Sequence, residues 1–250
     1  MHREHFETMG TVASLAFAAG PPDAALLPTI HTAFDEVEAR FSLYRPNSEI
    51  SRIASRESAM TKASPEFLSS YAAAIDWKLA TNGAFDPHRP DGVIDLSGIV
   101  KAQAIQCALD LVQGAGIADA LVSIGGDGVV IGHADAAGQA WTVGVLDPDD
   151  RGALLCTVPL DPQRPAIATS GTAERGEHVW RQGLADFRQV TVVASDIVTA
   201  DVLATAILSG GRASRDAATD RWDVDVLIVD LDGVVEVTPR LRGLITQHAA

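Results

Sequence analysis

Cysteine is scarce in this chain, with two in 250 residues, Cys107 and Cys156. No Cys-x-x-Cys or His-Glu-x-x-His spacing occurs, which argues against a zinc centre. Cys107 falls in an apolar helical run and Cys156 in a strand-like one, so two buried free thiols are expected rather than a bridge. Positive charge is also short: 19 Lys and Arg against 33 Asp and Glu leave a net charge of −14. A chain this acidic is a poor partner for nucleic acid or an anionic membrane. Any phosphate ligand would have to be held locally, by a metal, helix N-termini or single basic residues. Long hydrophobic runs are missing too, and the start (Met1-His2-Arg3-Glu4-His5-Phe6-Glu7) is polar. Neither a signal peptide, a lipid anchor nor a membrane span is expected, so the sequence reads as soluble and cytoplasmic.

What is present is enough for one sizeable core: 47% of the residues are hydrophobic, and no disulfide or structural metal is needed. Residues 5–18 alternate as a strand broken near Met9-Gly10-Thr11. Residues 24–41 form an amphipathic helix, with Leu27, Ile30, Phe34, Val37 and Phe41 at three-to-four spacing. Asn47 or Ser48 caps a further helix, and another fills 65–80. Helix 98–113 has Ser97 as its natural N-cap and stops at Gly114-Ala115-Gly116. Two strands flank Gly125-Gly126-Asp127-Gly128, and more follow at 141–146, 153–160, 166–170 and 189–195. Helix 198–209 and a hairpin over 224–238 end the series. The strands come in antiparallel-looking runs between helices without regular βαβ alternation, so the predicted class is α+β, in a single unit spanning 1–250.

Oxygen-bearing clusters in apolar surroundings are the chemistry to explain. Asp201 and Thr205 stand four apart, on one face of a helix, as an open half-shell for magnesium would require. They equally suit a dipole-complementing acid and a threonine bonded back to its own helix. Lys101 lies in the first turn of its helix, where an anion is preferred. That makes sense if a phosphate is shared between the lysine and free backbone N–H groups; the alternative is a lysine reaching out to solvent. Asp95 is a ligand-contacting carboxylate or a turn residue. Gly125-Gly126-Asp127-Gly128 is a tight hairpin or a close backbone approach. Thr169, Ser170 and Gly171 end an apolar strand as an oxygen-rich rim for a ligand or equally as an ordinary strand end, and His178 is the best general-base candidate.

The order of these pieces is more specific than any one of them. Met9-Gly10-Thr11 is followed by Phe41-Ser42-Leu43-Tyr44-Arg45-Pro46-Asn47-Ser48-Glu49-Ile50-Ser51, Gly83-Ala84-Phe85-Asp86-Pro87 and Asp95-Leu96-Ser97-Gly98-Ile99-Val100-Lys101. Ile124-Gly125-Gly126-Asp127, Ala168-Thr169-Ser170-Gly171 with His178, and Thr199-Ala200-Asp201 through Thr205 complete it. Over nearly the whole chain this series resembles the ApbE family, the FAD:protein FMN transferases. The resemblance implies an α+β fold and a magnesium-dependent reaction in which FMN passes from FAD to a threonine or serine of an acceptor flavoprotein and AMP leaves. It implies Asp201, Thr205 and the carbonyl of Gly98 as magnesium ligands. Met9, Tyr44, Ala84, Phe85, Asp86, Asp95 and Lys101 match positions that hold FAD, and His178 matches the histidine that takes the acceptor proton. Two stretches depart from the family pattern. Lys101 is flanked by Val100 and Ala102 rather than glycines, and His178-Val179-Trp180-Arg181-Gln182 lacks the usual Asp-Pro companions. Hydrolysis of FAD to FMN and AMP, or FAD binding without chemistry, are the alternatives.

Overall fold

Turn chemistry at the start of the chain sets the first hairpin. Strands β1 (His2–Thr8) and β2 (Thr11–Phe17) pair antiparallel with Thr8 opposite Thr11, which leaves Met9 and Gly10 as the two-residue turn. Both have positive φ, 51° and 72°, as a type I′ hairpin requires. The computed structural model describes residues 1–150, 152–171 and 186–247. Helices α1 (Leu26–Phe41), α2 (Glu49–Ala54), α3 (Pro65–Ala80) and α4 (Ser97–Gly114) follow, with a 3₁₀ turn at Met60–Lys62. Ser48 caps α2 by accepting the Ser51 N–H at 3.1 Å. Ser64 caps α3 by accepting the Phe67 N–H at 3.2 Å, with Pro65 in the first turn.

Strands β3 (Ala120–Ile124), β4 (Asp127–Ile131), β7 (Ala166–Gly171), β8 (Phe187–Ala194), β9 (Asp225–Asp230) and β10 (Val235–Val237) join β1 and β2. They form an eight-stranded sheet in the order β1-β2-β3-β4-β7-β8-β9-β10, antiparallel at each pairing. A smaller sheet holds β5 (Trp141–Leu146), β6 (Leu154–Leu160) and β11 (Thr246–Gln247). Helix α5 (Ile197–Arg221) precedes β9, and the short α6 (Pro239–Arg242) precedes β11. The α+β class expected from the sequence is the one observed.

Alternation along the central strands decides the layering. Val190, Val192, Val226 and Ile228 face one way, onto Ile30 and Phe34 of α1, Ile105 and Ala108 of α4, and Leu203 and Ile207 of α5. Val193, Leu227 and Val229 face the other way, onto Trp141, Val145, Val158 and Leu160 of the small sheet. A third, smaller core gathers Phe41, Ile50, Phe67, Ala84, Phe85, Ile99, Val100, Val202 and Ala206. It packs α2 and α3 against the first turn of α4 and the middle of α5. Burying one phenylalanine such as Phe67, fully inaccessible here, is worth about 1.5–3 kcal/mol. The junction of this third core with the sheet-backed one is where α4 begins.

Three local expectations are corrected. Ser97 is the first helical residue rather than the cap: Leu96 occupies the cap position, and Asp95 takes the Ser97 N–H at 2.9 Å in a turn ahead of it. Helix α5 does not stop at residue 209. It breaks at Gly211 (φ 67°) and resumes because Asp186 accepts the Arg212 N–H at 3.0 Å, a cap supplied from a distant segment. Both cysteines are free, but only Cys156 is buried; Cys107 lies on the exposed face of α4.

Candidate active site

The start of α4 meets α5 through the smallest residue available. A methyl group placed on Gly98 would lie 3.0 Å from Phe85 Cε2 and 3.8 Å from Thr205 Cγ2. Glycine therefore permits the close approach that sets the Gly98 backbone beside Thr205. From the other side, Ser170 at the end of β7 places its hydroxyl 3.2 Å from that of Thr205. Asp201 stands one turn earlier on α5 and is 2% exposed. A hydroxyl pair, a carboxylate and a helix-start backbone are thus drawn together from three elements. These are hard oxygen donors of the kind a magnesium-like ion takes, so the donor set fits such an ion. Among the described residues no three His, Cys, Asp or Glu side chains converge as a metal cluster. A set with one carboxylate among hydroxyls and carbonyls falls outside that description.

Lys101, one turn into α4, does not project freely into water. Its ammonium pairs with Asp127, whose side chain is fully buried; the lysine side chain is 12% exposed. The other carboxylate oxygen of Asp127 accepts the Thr169 N–H at 2.8 Å, and the Thr169 hydroxyl lies 2.9 Å from that of Thr191. Gly125-Gly126 forms the hairpin turn between β3 and β4, at φ 57° and 92°, which delivers Asp127 to this point. The turn approaches the first hairpin: the Gly125 N–H bonds the Val12 carbonyl at 3.1 Å.

Beside these groups opens a cavity of about 570 Å³, of the size that holds a cofactor-scale ligand. Met9, Tyr44 and Asp95 line it, together with Ser97 and Val100 from the start of α4. Tyr44 is 78% exposed, so its ring stands at the mouth. Glu38, Arg45 and Arg89 also line the cavity, and sequence reasoning singled out none of them. Glu38 accepts the Met9 N–H and pairs with Arg45, and Arg89 pairs with Asp91 at 2.9 Å. Spacing gave no signal for these, because each contact joins separate elements or a loop.

The remaining candidates sit differently. Ala84 and Phe85 are 7% and 3% exposed and belong to the third core, with the Phe85 ring against Gly98 rather than in the cavity lining. Asp86 is bound to Lys78 at 2.8 Å and to His88 at 3.1 Å. Burial pushes its carboxyl upward, but hydrogen bonds from Lys78 and from the backbone and ring of His88 outweigh that and hold it below the ordinary value. Gly171 ends β7 opposite Gln189. His178 lies outside the described residues. No helix among the described residues is long and apolar enough to cross a membrane.

Comparison with known proteins matches this architecture throughout. The flavin transferase ApbE from Vibrio cholerae superposes with a TM-score of 0.78 at 23% identity, covering 97% of this chain and 99% of that one. The apo flavinyl transferase ApbE of Pseudomonas stutzeri gives 0.79 at 20% identity, over 97% and 96%. The ApbE protein of Thermotoga maritima gives 0.78 at 20%, over 97% and 98%. At such identities these likenesses show the fold. No curated protein sequence matches the chain. The family model described as ApbE matches residues 9–91 and 88–228, which is most of the sequence, and the chain belongs to the ApbE family.

Proposed function

We propose that this protein is an FAD:protein FMN transferase that uses magnesium. The observation that carries the reading is the meeting of α4, α5 and β7, where the Ser170 and Thr205 hydroxyls lie 3.2 Å apart beside Gly98 and one turn from Asp201. Family membership and the cavity running to the same helix start support it. In this reading the cavity binds FAD and directs its pyrophosphate to the first turn of α4, where the helix dipole favours an anion. Asp201, Thr205 and the Gly98 carbonyl would hold the magnesium, which when bound supplies neutralisation of phosphate charge.

The reaction exchanges a phosphoanhydride bond for a phosphoester bond. The hydroxyl oxygen of an acceptor threonine or serine attacks the FMN-side phosphorus, the bond to the bridging oxygen breaks, and AMP departs with that bridging oxygen. The hydroxyl proton passes to a base, the role assigned to His178. Lys101 would hold positive charge beside the phosphates, and its pair with Asp127 fixes where it sits. The acceptor is a flavoprotein whose serine or threonine reaches the mouth of the cavity.

Incubating the protein with FAD and magnesium, with and without a co-expressed acceptor, tests the reading. FMN bound covalently to the acceptor supports it. Free FMN and AMP in the absence of an acceptor would replace transfer by hydrolysis, and intact bound FAD in every condition would leave binding alone. Asp201→Ala is expected to abolish metal-dependent turnover, and full activity in that variant would refute the metal assignment.

A further inference from the structure

We propose that Glu38 is the positioning residue that assembles the rim of the cavity before any ligand arrives. The inference rests on the flavin reading for its consequence, but not for its structural content. Glu38 lies near the end of α1, its side chain is 12% exposed, and it lines the cavity. One carboxylate oxygen accepts the backbone N–H of Met9 and lies 3.4 Å from the Thr8 hydroxyl, and the other pairs with the guanidinium of Arg45. A single side chain therefore ties together α1, the β1–β2 turn and the loop that carries Tyr44 and Arg45.

Three features make this more than a surface ion pair. An acid near a helix C-terminus is electrostatically misplaced, since that end favours cations. It is retained where it has two donors to satisfy. Met9 adopts φ 51°, a left-handed conformation that costs a side-chain-bearing residue and that glycine or asparagine would take more readily. The carboxylate fixes the N–H of that strained residue, and a charged acceptor makes the stronger kind of hydrogen bond. Arg45 is half-exposed, so its link to Glu38 is what holds a long side chain at the rim.

A rim that is assembled only part of the time weakens binding in proportion to the competent fraction. Removing Glu38 is accordingly expected to act on FAD affinity and KM while leaving turnover at saturating FAD largely intact. The test uses the full chain with Glu38→Ala and the isosteric Glu38→Gln. The parent protein is the reference, measured first for FAD binding by flavin fluorescence. In Glu38→Ala the Kd for FAD should rise about 10-fold, with kcat within about 2-fold of the parent. Glu38→Gln should fall between, because its carbonyl still accepts the Met9 N–H while the charge on Arg45 is no longer answered. Amide hydrogen exchange on the unliganded proteins should show faster exchange at Met9 and through 42–45 in Glu38→Ala.

Unchanged FAD affinity together with unchanged exchange at Met9 would overturn the proposal, as would a fall in kcat with no change in KM. Should Glu38→Ala fail to fold, Glu38→Gln decides alone, and parent-like affinity there with parent-like exchange refutes the idea. If the parent itself binds no FAD, the flavin reading fails, while the exchange comparison still judges whether Glu38 holds the turn.

Discussion

Replacing Asp127 by alanine isolates the pair on which the placement of Lys101 depends. The carboxylate is fully buried and answers two donors, the Lys101 ammonium and the Thr169 N–H. Truncation strands both of them in a largely dry site. Removing one member of a buried ion pair costs about 3–5 kcal/mol, because the surviving charge has lost its partner. Lys101 keeps 12% of its side-chain exposure, so water reaches the ammonium to some degree and the lower end, about 3 kcal/mol, is expected. For a chain of this size each kcal/mol moves the midpoint by about 2–4 °C, so Tm should drop by about 6–12 °C. Asp127→Asn should lose less, since its amide oxygen still accepts the Thr169 N–H. Combining Asp127→Ala with Lys101→Met removes the stranded charge, and the double variant should be more stable than Asp127→Ala by about 1–2 kcal/mol. Thermal unfolding followed by circular dichroism, with urea titration as a second measure, reads all three. An Asp127→Ala protein within about 1 kcal/mol of the parent would refute the reasoning. It would mean that Lys101 swings to water at little cost and that nothing buried fixes its position.

Four other outcomes follow from the same geometry. The Cys156 thiol is pushed up to about 11 by burial, while Cys107 is raised by burial and then by Asp110 and Glu36. A thiol reagent at neutral pH should therefore label only the exposed Cys107, slowly, and rapid labelling of two thiols in the native protein would contradict the packing. Asp86 is held below its ordinary 3.8, so its contribution to stability is full above that pH and fades as pH falls through the lower, folded value. The stability gap between the parent and Asp86→Asn should accordingly close on acidification below 3.8; a gap that widens in acid would reverse the sign. At Gly98 a methyl group would press on Phe85 at 3.0 Å, offsetting the roughly 1 kcal/mol that alanine gains over glycine in a helix. Gly98→Ala should thus stay within about 1 kcal/mol of the parent in urea unfolding and Gly98→Val should lose about 2–3 kcal/mol, whereas equal stability of both would deny the contact. Finally, FAD binding itself should weaken at least about 10-fold when magnesium is chelated, measured by fluorescence without turnover; equal affinity in chelator would remove the ion from the pyrophosphate site.

Local chemistry is what the sequence states openly. The cap at Ser48, the strand break near Met9-Gly10 and the hairpin at Gly125-Gly126 each involve residues within three or four positions of one another. The α+β class follows from the same local pattern, and motif order sufficed for the family. Where a distant group decides, the pattern is silent. The helix expected to end at 209 instead continues beyond a break at Gly211, because Asp186 accepts the Arg212 N–H. The ion pair of Lys101 with Asp127 gives no local signal, because Asp127 follows the turn of a separate strand hairpin. Cys107 looks buried in an apolar run, but Ala104, Ile105, Ala108 and Leu109 claim the inward face and leave it outside.

The site's electrostatics show why family resemblance and an acidic chain are compatible. Among the described residues three cations adjoin the cavity or the helix start beside it, and each has a carboxylate partner: Arg45 with Glu38, Arg89 with Asp91, Lys101 with Asp127. Asp95 in the cavity lining and the buried Asp201 add two carboxylates. Among the described residues these groups number five acids against three bases, within a protein that is itself at −14. A diphosphate adds further negative charge. The cations here aim and orient, since their charge is spent on carboxylates that hold them in place, and helix N–H groups supply only partial charge. In the proposed function, attraction for the diphosphate is assigned to a group that binds acids and phosphates together. A divalent cation has that chemistry and the matching charge, and the carboxylate that would receive it stands on α5, one turn from Thr205.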